Sequence, residues 1–264
     1  MKQRVIQLLP DKLFVSLKKW GWQGDYKSWQ EAEQESIGYD ADNILEKVKA
    51  ALLKVKNGEV VYERDSVVFD KIEYAWEILS ALLWIAAQNK GELHIIDFGG
   101  SLGSTYFQNK HFLDSLLSVS WNIVEQPNFV EEGKHSFENE NLKFYYTMDK
   151  CIESSNKKIQ GILFSSVLQY LEEPYVVLKE VIEKRFQYII IDRTGFTFND
   201  KMRLTTQKVH PKIYDALYPC WFFSESVLLN FLSEKGYDLM FDFDSLDITN
   251  IPAKYKGFVF KLKK

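Results

Sequence analysis

The chain has 264 residues, 46% of them hydrophobic and 15% aromatic, enough for one sizeable core and a small appended segment. A formal net charge of -4, with Lys and Arg scattered among acids, argues against a nucleic-acid surface, which needs clustered positive charge. Cys151 and Cys220 make neither a metal-ligand spacing nor a disulfide framework, no apolar run reaches the ~18 residues of a membrane span, and Pro10, Asp11 and Lys12 interrupt any leader-like stretch, so a metal-free cytoplasmic protein is expected.

In chain order, Lys12 to Trp20 places Leu13, Phe14, Leu17 and Trp20 on one helix face beside Lys12, Lys18 and Lys19. That is a terminal helix packed on the body, or a weak membrane-surface contact through residues 12–20. Trp20, Trp22, Tyr26 and Trp29 follow, as a core plug or as a lid or sugar-stacking surface. Asp42 to Lys56 carries Ile44, Leu45, Val48, Ala51, Leu52 and Val55 at helical spacing, with Asp42 as N-cap and Gly58 just past the end. Within Tyr62-Glu63-Arg64-Asp65, Arg64 either joins an internal ion pair or clamps a ligand carboxylate. Asp70 to Lys90 is a more apolar helix holding Ile72, Trp76, Leu79, Leu82, Leu83 and Ile85, and should be largely buried.

Strands and helices then alternate, with strand signals at His94–Phe98, Trp121–Glu125, Lys143–Thr147, Gly161–Ser165 and Tyr188–Asp192. Runs such as Tyr188-Ile189-Ile190-Ile191 are apolar throughout, as parallel strands buried on both faces are. A helical pattern at Ser224–Glu234 precedes two strands, Tyr237–Phe243 and Gly257–Leu262, joined without a crossover helix and therefore antiparallel. The expected fold class is α/β: a doubly wound, mostly parallel seven-stranded sheet in residues 70–264, with residues 1–69 a helical N-terminal segment packing on it.

The connection after the first strand of this sheet carries the chemistry. Asp97-Phe98-Gly99-Gly100-Ser101-Leu102-Gly103 is a glycine-rich turn from an apolar strand into a helical pattern, where the chain crosses φ/ψ values closed to Cβ-bearing residues and a ligand can approach bare backbone. A dinucleotide fingerprint needs Gly-x-Gly-x-x-Gly, and Ser101 and Ser104 stand where its second and third glycines would fall. The turn instead resembles Asp-x-Gly-x-Gly-x-Gly, the first motif of class I S-adenosylmethionine-dependent methyltransferases, with Ser101 in place of the middle glycine. Five alternating units and a terminal hairpin are also that family's Rossmann-like layout. Together with the turn, Trp20-Gly21-Trp22-Gln23-Gly24-Asp25-Tyr26, Gly38-Tyr39-Asp40-Ala41, Tyr62-Glu63-Arg64-Asp65-Ser66-Val67 and Val124-Glu125-Gln126 resemble a bacterial methyltransferase-like group whose members carry these phrases in this order. Its members are often associated with surface-polysaccharide genes. The resemblance implies S-adenosyl-L-methionine as cofactor.

Ligands in such a sheet sit beyond the carboxyl ends of the strands. By the resemblance, the backbone of Gly99, Gly100, Ser101 and Gly103 meets the methionine moiety, and Asp97 holds the turn or the cofactor's amine. Glu125, followed by Gln126, stands 22 residues past Gly103 at a strand end, where an acidic side chain can accept both ribose hydroxyls. Asp149, past the third strand, sits where the resembled family recognises adenine, so the resemblance implies that it accepts from the adenine amine; the other reading is that it caps the next helix. Ser165 and Ser166 match the position that lines the space between sulfonium and acceptor, and hydroxyls suit a neutral oxygen acceptor better than a cationic amine. Past Asp192-Arg193-Thr194, a stretch with His210, Tyr218 and Trp221 is expected to cover the acceptor.

Methyl transfer from a sulfonium is an in-line displacement governed by alignment and exclusion of water, with a base needed only if the acceptor hydroxyl must lose a proton. His210 and Asp192 are the candidate bases, and the expected activity is O-methylation of a saccharide or other small hydroxyl acceptor. Two other patterns compete. Tyr175-Val176-Val177-Leu178-Lys179 has the Tyr-x-x-x-Lys spacing of an NAD-dependent short-chain-type oxidoreductase, but follows Pro174 on a helix whose Tyr175, Leu178 and Ile182 look like core. Asp242-Phe243-Asp244 has the Asp-x-Asp of metal-dependent glycosyltransferases, but in a late strand these carboxylates should point outward. A catalytically idle nucleotide-binding domain is the remaining alternative.

Overall fold

The computed structural model describes residues 20–36, 41–64, 66–69, 76–211, 213 and 215–263, without the side chains of residues 41–43 and 64. Most of the surface helix expected over residues 12–20, the Gly38-Tyr39-Asp40 phrase, Ile72 and the Arg64 side chain therefore lie outside the described residues.

The leading part runs β1 (Gly21–Tyr26), α1 (Trp29–Gln34), α2 (Ala41–Lys56), a hairpin of β2 (Tyr62–Arg64) and β3 (Val67–Phe69), and α3 (Trp76–Gln88). Alternation follows: β4 (Glu92–Phe98), α4 (Ser104–Leu113), β5 (Ser118–Val124), α5 (Pro127–Ser136), β6 (Leu142–Tyr145), α6 (Met148–Ser154), β7 (Gly161–Ser165), α7 (Pro174–Glu183) and β8 (Tyr188–Thr197). The chain closes with β9 (Arg203–Lys208), β10 (Leu217–Phe222), α8 (Glu225–Glu234), β11 (Tyr237–Asp244) and β12 (Ala253–Leu262).

The main sheet has the order β11-β12-β8-β7-β4-β5-β6. β6, β5, β4, β7 and β8 are parallel, and β12 inserts antiparallel between β8 and β11. This is the expected doubly wound, Rossmann-like seven-stranded sheet. Period-two alternation sends Leu93 and Ile95 of β4 to one face, with α2, α3, α4 and α5, and Ile96 to the other, with α6, α7 and α8. Local signals set the element ends. Gly91, at φ 84°, returns its N–H to Ala86 at 2.8 Å to close α3 just before β4, and Thr147 and Ser224 cap α6 and α8. Asp42 falls inside α2 rather than at its cap. Trp76, expected in the core, is 56% exposed at the start of α3.

The leading part is not purely helical. β1 joins β9 and β10 in a second antiparallel sheet, of order β1-β9-β10. Gly21 and Gly24, at φ 105° and 85°, take left-handed conformations that a helix does not contain, while Trp22 and Tyr26 turn partly inward. This sheet is tied to β8 by Phe223 N–H to Gly195 O and Thr197 N–H to Phe223 O, at 2.8 and 2.9 Å. Among the described residues no helix is long and apolar enough to cross a membrane.

Candidate functional site

A cavity of about 1150 Å³ opens over the carboxyl ends of β4, β5, β7 and β8 and is bounded on its far side by residues of the β1-β9-β10 sheet. That volume exceeds the roughly 300–1,000 Å³ of a single small-molecule pocket, so two reactants can share it.

At one end lies the glycine turn. Gly99, Ser101 and Gly103 have φ of 69°, 54° and 102°, so Ser101 keeps the left-handed backbone that the resembled motif assigns to glycine. The glycines serve the protein's own packing. A Cβ on Gly99 would lie 2.3 Å from Val167, and one on Gly100 would lie 2.5 Å from the Asp97 carboxyl carbon. The missing Cβ of Gly100 lets the Asp97 carboxyl tuck under the turn. There Asp97 is 1% exposed, its Oδ2 accepts from Trp121 Nε1–H at 3.0 Å, and its Oδ1 has no hydrogen-bond partner among the described residues. Burial pushes the Asp97 carboxyl up to about 7, against the Trp121 hydrogen bond.

Glu125 stands just beyond β5. Its carboxylate accepts from Gln126 N–H at 2.6 Å and from the Ser101 N–H, so strand end and turn are joined through one side chain. Burial raises its pKa, and the two N–H groups work against that rise. A carboxylate offers about four lone-pair sites, so two remain for ligand hydroxyls.

The other end of the cavity is built on β7 and β8. Asp192, 4% exposed, is registered beside Ser165. Its Oδ2 accepts from Ser165 Oγ at 3.2 Å and its Oδ1 from Ser245 Oγ at 3.3 Å. Ser245 Oγ itself accepts from Arg193 N–H at 3.3 Å, which leaves the hydroxyl proton for Asp192. Burial pushes Asp192 up to about 6, against the neighbouring Arg193 charge. The Arg193 guanidinium makes a two-pronged pair with Asp247, at 3.0 and 3.1 Å. Ser166, at φ 57°, lines the same end, as do Trp22, Gln207 and Tyr218. Tyr170 O–H donates to Gln207 Oε1 at 2.7 Å, and Trp29 stacks on Trp221 with centroids 6.4 Å apart.

Asp97, Gly99, Gly100, Ser101, Glu125, Gln126, Ser165, Ser166 and Asp192 thus share one cavity. Gly103 lies behind the turn, where a Cβ would meet Leu142 and Ile123 at 3.2 and 3.4 Å. Asp149 does not face the cavity: it is exposed and pairs with Lys184, while Met148 and Tyr146 provide the lining past β6. The cap of α6 is Thr147, whose Oγ1 accepts from Lys150 N–H at 3.2 Å. His210 packs on the Trp20 ring at 5.3 Å, outside the cavity lining, and Val209 takes the inward position. The oxidoreductase pattern comes apart, because Tyr175 is packed against Phe223 and Phe231 and Lys179 is exposed, neither lining the cavity. Asp242 pairs with Lys256, Asp244 is exposed, and no metal-holding group of His, Cys, Asp or Glu exists among the described residues. Sequence reading missed Glu63, Ser245, Asp247 and Gln207, all of which line the cavity from segments distant from the turn.

No family model matches the sequence, and no curated protein matches it. Solved structures with a similar arrangement include an S-adenosylmethionine-dependent methyltransferase from Clostridium acetobutylicum, at TM-score 0.46 and 10% identity over 70% of this chain and 90% of that one. The N-terminal domain of EvdMO1, in the presence of S-adenosylhomocysteine and D-fucose, has TM-score 0.48 and 12% identity over 86% of this chain and 98% of its own. Magnesium protoporphyrin IX methyltransferase from Synechocystis, with bound S-adenosylmethionine, has TM-score 0.48 and 10% identity over 86% and 99%. At such identities the site has to be read from its own residues.

Proposed function

We propose that the protein is an S-adenosylmethionine-dependent methyltransferase that O-methylates a small hydroxyl acceptor of saccharide type. The observation that carries the reading is the coupling of Glu125 to the turn: a carboxylate fixed by Ser101 N–H at the strand-end opening, with lone pairs left for a vicinal diol. The unpartnered Oδ1 of Asp97 beneath the same turn fits a cofactor that carries a positive charge. When bound, S-adenosylmethionine would supply a methyl group activated by its sulfonium.

The rest is positioning by the chain. Ser165 and Ser166 lie between the turn and Asp192, where the two reactants would meet. Asp192, held from both sides by Ser165 and Ser245 and poised at about 6, accepts the hydroxyl proton of the acceptor. Aromatic residues with polar edges, Trp22, Tyr170 and Tyr218, and the Gln207 amide supply rings for C–H faces and partners for hydroxyls, which is why a saccharide is favoured. The Arg193 guanidinium, itself paired with Asp247, favours the ionised form of Asp192, while Asp247 opposes it.

Calorimetric titration with S-adenosylhomocysteine and with NAD, on the wild type and on Glu125→Ala, tests this reading. S-adenosylhomocysteine binding that weakens about 10- to 100-fold in Glu125→Ala supports it, since hydrogen bonds to charged groups contribute about 1.5–3 kcal/mol each. Binding of NAD alone sinks it. Methyl transfer from labelled S-adenosylmethionine to a panel of nucleotide sugars and glycans then separates an enzyme from an idle nucleotide-binding domain.

A further inference from the structure

Gln169, in the single turn Leu168–Tyr170 that follows β7, is fully buried and lies behind the cavity lining. Its Nε2 donates twice, to Arg193 O at 3.0 Å and to Ser166 Oγ at 3.3 Å. A backbone carbonyl only accepts, so the nitrogen of the amide, and not its oxygen, must face Arg193. That orientation leaves Oε1 without a hydrogen-bond partner among the described residues, a cost that an apolar side chain filling the same space would avoid.

The second N–H decides what Ser166 does. Its Oγ accepts from Gln169, so its own proton is left for a partner, and Ser166 lines the cavity beside Asp192. The Asp192 carboxylate, with Ser165 and Ser245 on two of its lone-pair sites, still offers acceptors there. This end of the cavity therefore presents a donor and an acceptor together. A hydroxyl oxygen has one proton and two lone pairs: the proton goes to Asp192, one lone pair bonds the methyl carbon as that carbon leaves sulfur, and the other accepts from Ser166. A neutral primary amine has two protons and one lone pair, which the methyl carbon takes, so the Ser166 proton would meet an N–H. We infer, resting on the methyltransferase reading, that Gln169 is a positioning residue that sets specificity: by holding the Ser166 hydroxyl as a donor, it selects an oxygen acceptor over a nitrogen acceptor at the same place.

A purely structural role for Gln169 makes a different prediction. Ser166 and Arg193 both have left-handed φ, 57° and 49°, and an amide bonded to both could serve only as a strut between the two bends. In that role Gln169 would act alike on every acceptor.

The separating experiment measures methyl transfer from labelled S-adenosylmethionine to matched pairs of hexoses, free, methyl-glycosylated and nucleotide-linked. In each pair one ring position carries a hydroxyl or an amine, at a pH where the amine is neutral. The wild type should prefer the hydroxyl member at least about tenfold in kcat/KM, since a site built around a hydroxyl rejects an analogue that leaves its donor unpaired. Gln169→Met frees the Ser166 hydroxyl to turn its proton to Arg193 O, and should bring the preference to within about threefold. Gln169→Glu, kept protonated by burial, can still donate to Arg193 O but has no second proton for Ser166, so it should lose the preference while keeping half of the strut. Ser166→Gly, which suits the left-handed φ of 57°, should lose it equally, and adding Gln169→Glu should change the preference no further. Calorimetry with S-adenosylhomocysteine checks that each variant is folded; where Gln169→Met fails that check, Gln169→Glu decides. Gln169 variants that slow both members alike and keep the wild-type preference overturn the inference. A wild type that methylates both members equally, or favours the amine, loses this inference and keeps the transfer reading. One that binds S-adenosylhomocysteine and methylates no member of any pair loses both.

Discussion

Replacing Asp97 by asparagine should change how the stability of the ligand-free protein depends on pH. Burial lifts the Asp97 carboxyl from its ordinary 3.8 to about 7, and at about 1.4 kcal/mol per pH unit the full difference is about 4 kcal/mol. Between those two values the native state keeps a proton that the unfolded chain has released. Stability therefore falls as pH rises through that window and is level above it, and roughly 3 kcal/mol of the fall lies between pH 5 and 8. Asp192 works in the same direction but finishes near pH 6. His94 opposes both: burial lowers its pKa, the unfolded chain takes up a proton below about 6.5 that the native state refuses, and its contribution grows as pH rises. The quantity to measure is thus the difference between Asp97→Asn and wild type in urea unfolding at several pH values, because Asp192 and His94 cancel in it. The introduced amide keeps an acceptor for Trp121 Nε1–H, so the variant should gain on the wild type by a few kcal/mol between pH 5 and 8. Parallel pH profiles would show that Asp97 ionises in the native state like an exposed carboxylate, and would refute the account of a buried, unsatisfied acid beneath the turn.

Gly100→Ala should lose about 1–3 kcal/mol by crowding the Asp97 carboxyl, and pairing it with Asp97→Ala should recover part of that loss in a double-mutant cycle read by thermal melting. Asn250 accepts from Trp22 N–H at 2.8 Å and donates to Trp22 O at 2.9 Å, so Asn250→Ala should speed amide exchange in β1 while β4 to β8 stay protected, at a local loss of about 1–2 kcal/mol. Both cysteines are buried, with the Cys151 thiol pushed up to about 12 and Cys220 higher still, so a thiol reagent should leave native protein unlabelled and modify both after unfolding; rapid native labelling would contradict this packing.

How much of this was legible in the sequence depends on whether the deciding interactions are local. The parallel strands announce themselves because both faces are buried, as in Tyr188-Ile189-Ile190-Ile191, and the helix ends because Gly91, Thr147 and Ser224 act on their own neighbours. That Glu125 lines the cavity is legible from position alone, since a strand end in a parallel sheet points at the cleft. Asp149 is not, because Thr147 and Asp149 can both cap α6 and composition does not choose between them. His210 fails for a geometric reason: in extended chain neighbouring side chains point apart, and with Val209 lining the cavity the imidazole turns to Trp20. The β1 strand is decided by pairing with β9, about 180 residues later, which no local pattern contains.

The same distinction explains the backbone at the cavity. Ser101, Ser166 and Arg193 follow β4 and β7 and lie within β8, and all three hold left-handed φ with residue types that do not favour it. Each is held by a contact from elsewhere. Ser101 N–H reaches the Glu125 carboxylate, Ser166 N–H reaches Asp192 O at 3.0 Å, and Arg193 is fixed by Ser245 through its N–H and by Asp247 through its guanidinium. Left-handed residues of this kind cost about 1–3 kcal/mol each and persist only where their surroundings determine them. The strain therefore sits beside the groups that would touch the two reactants, and it is held by Glu125 and Asp192, to which binding and proton transfer are assigned, and by Ser245, which positions Asp192. Substituting Glu125 or Ser245, which hold their left-handed neighbours through side chains, should displace that backbone as well as remove a polar group, so the losses caused by Glu125 and Ser101 substitutions should fail to add.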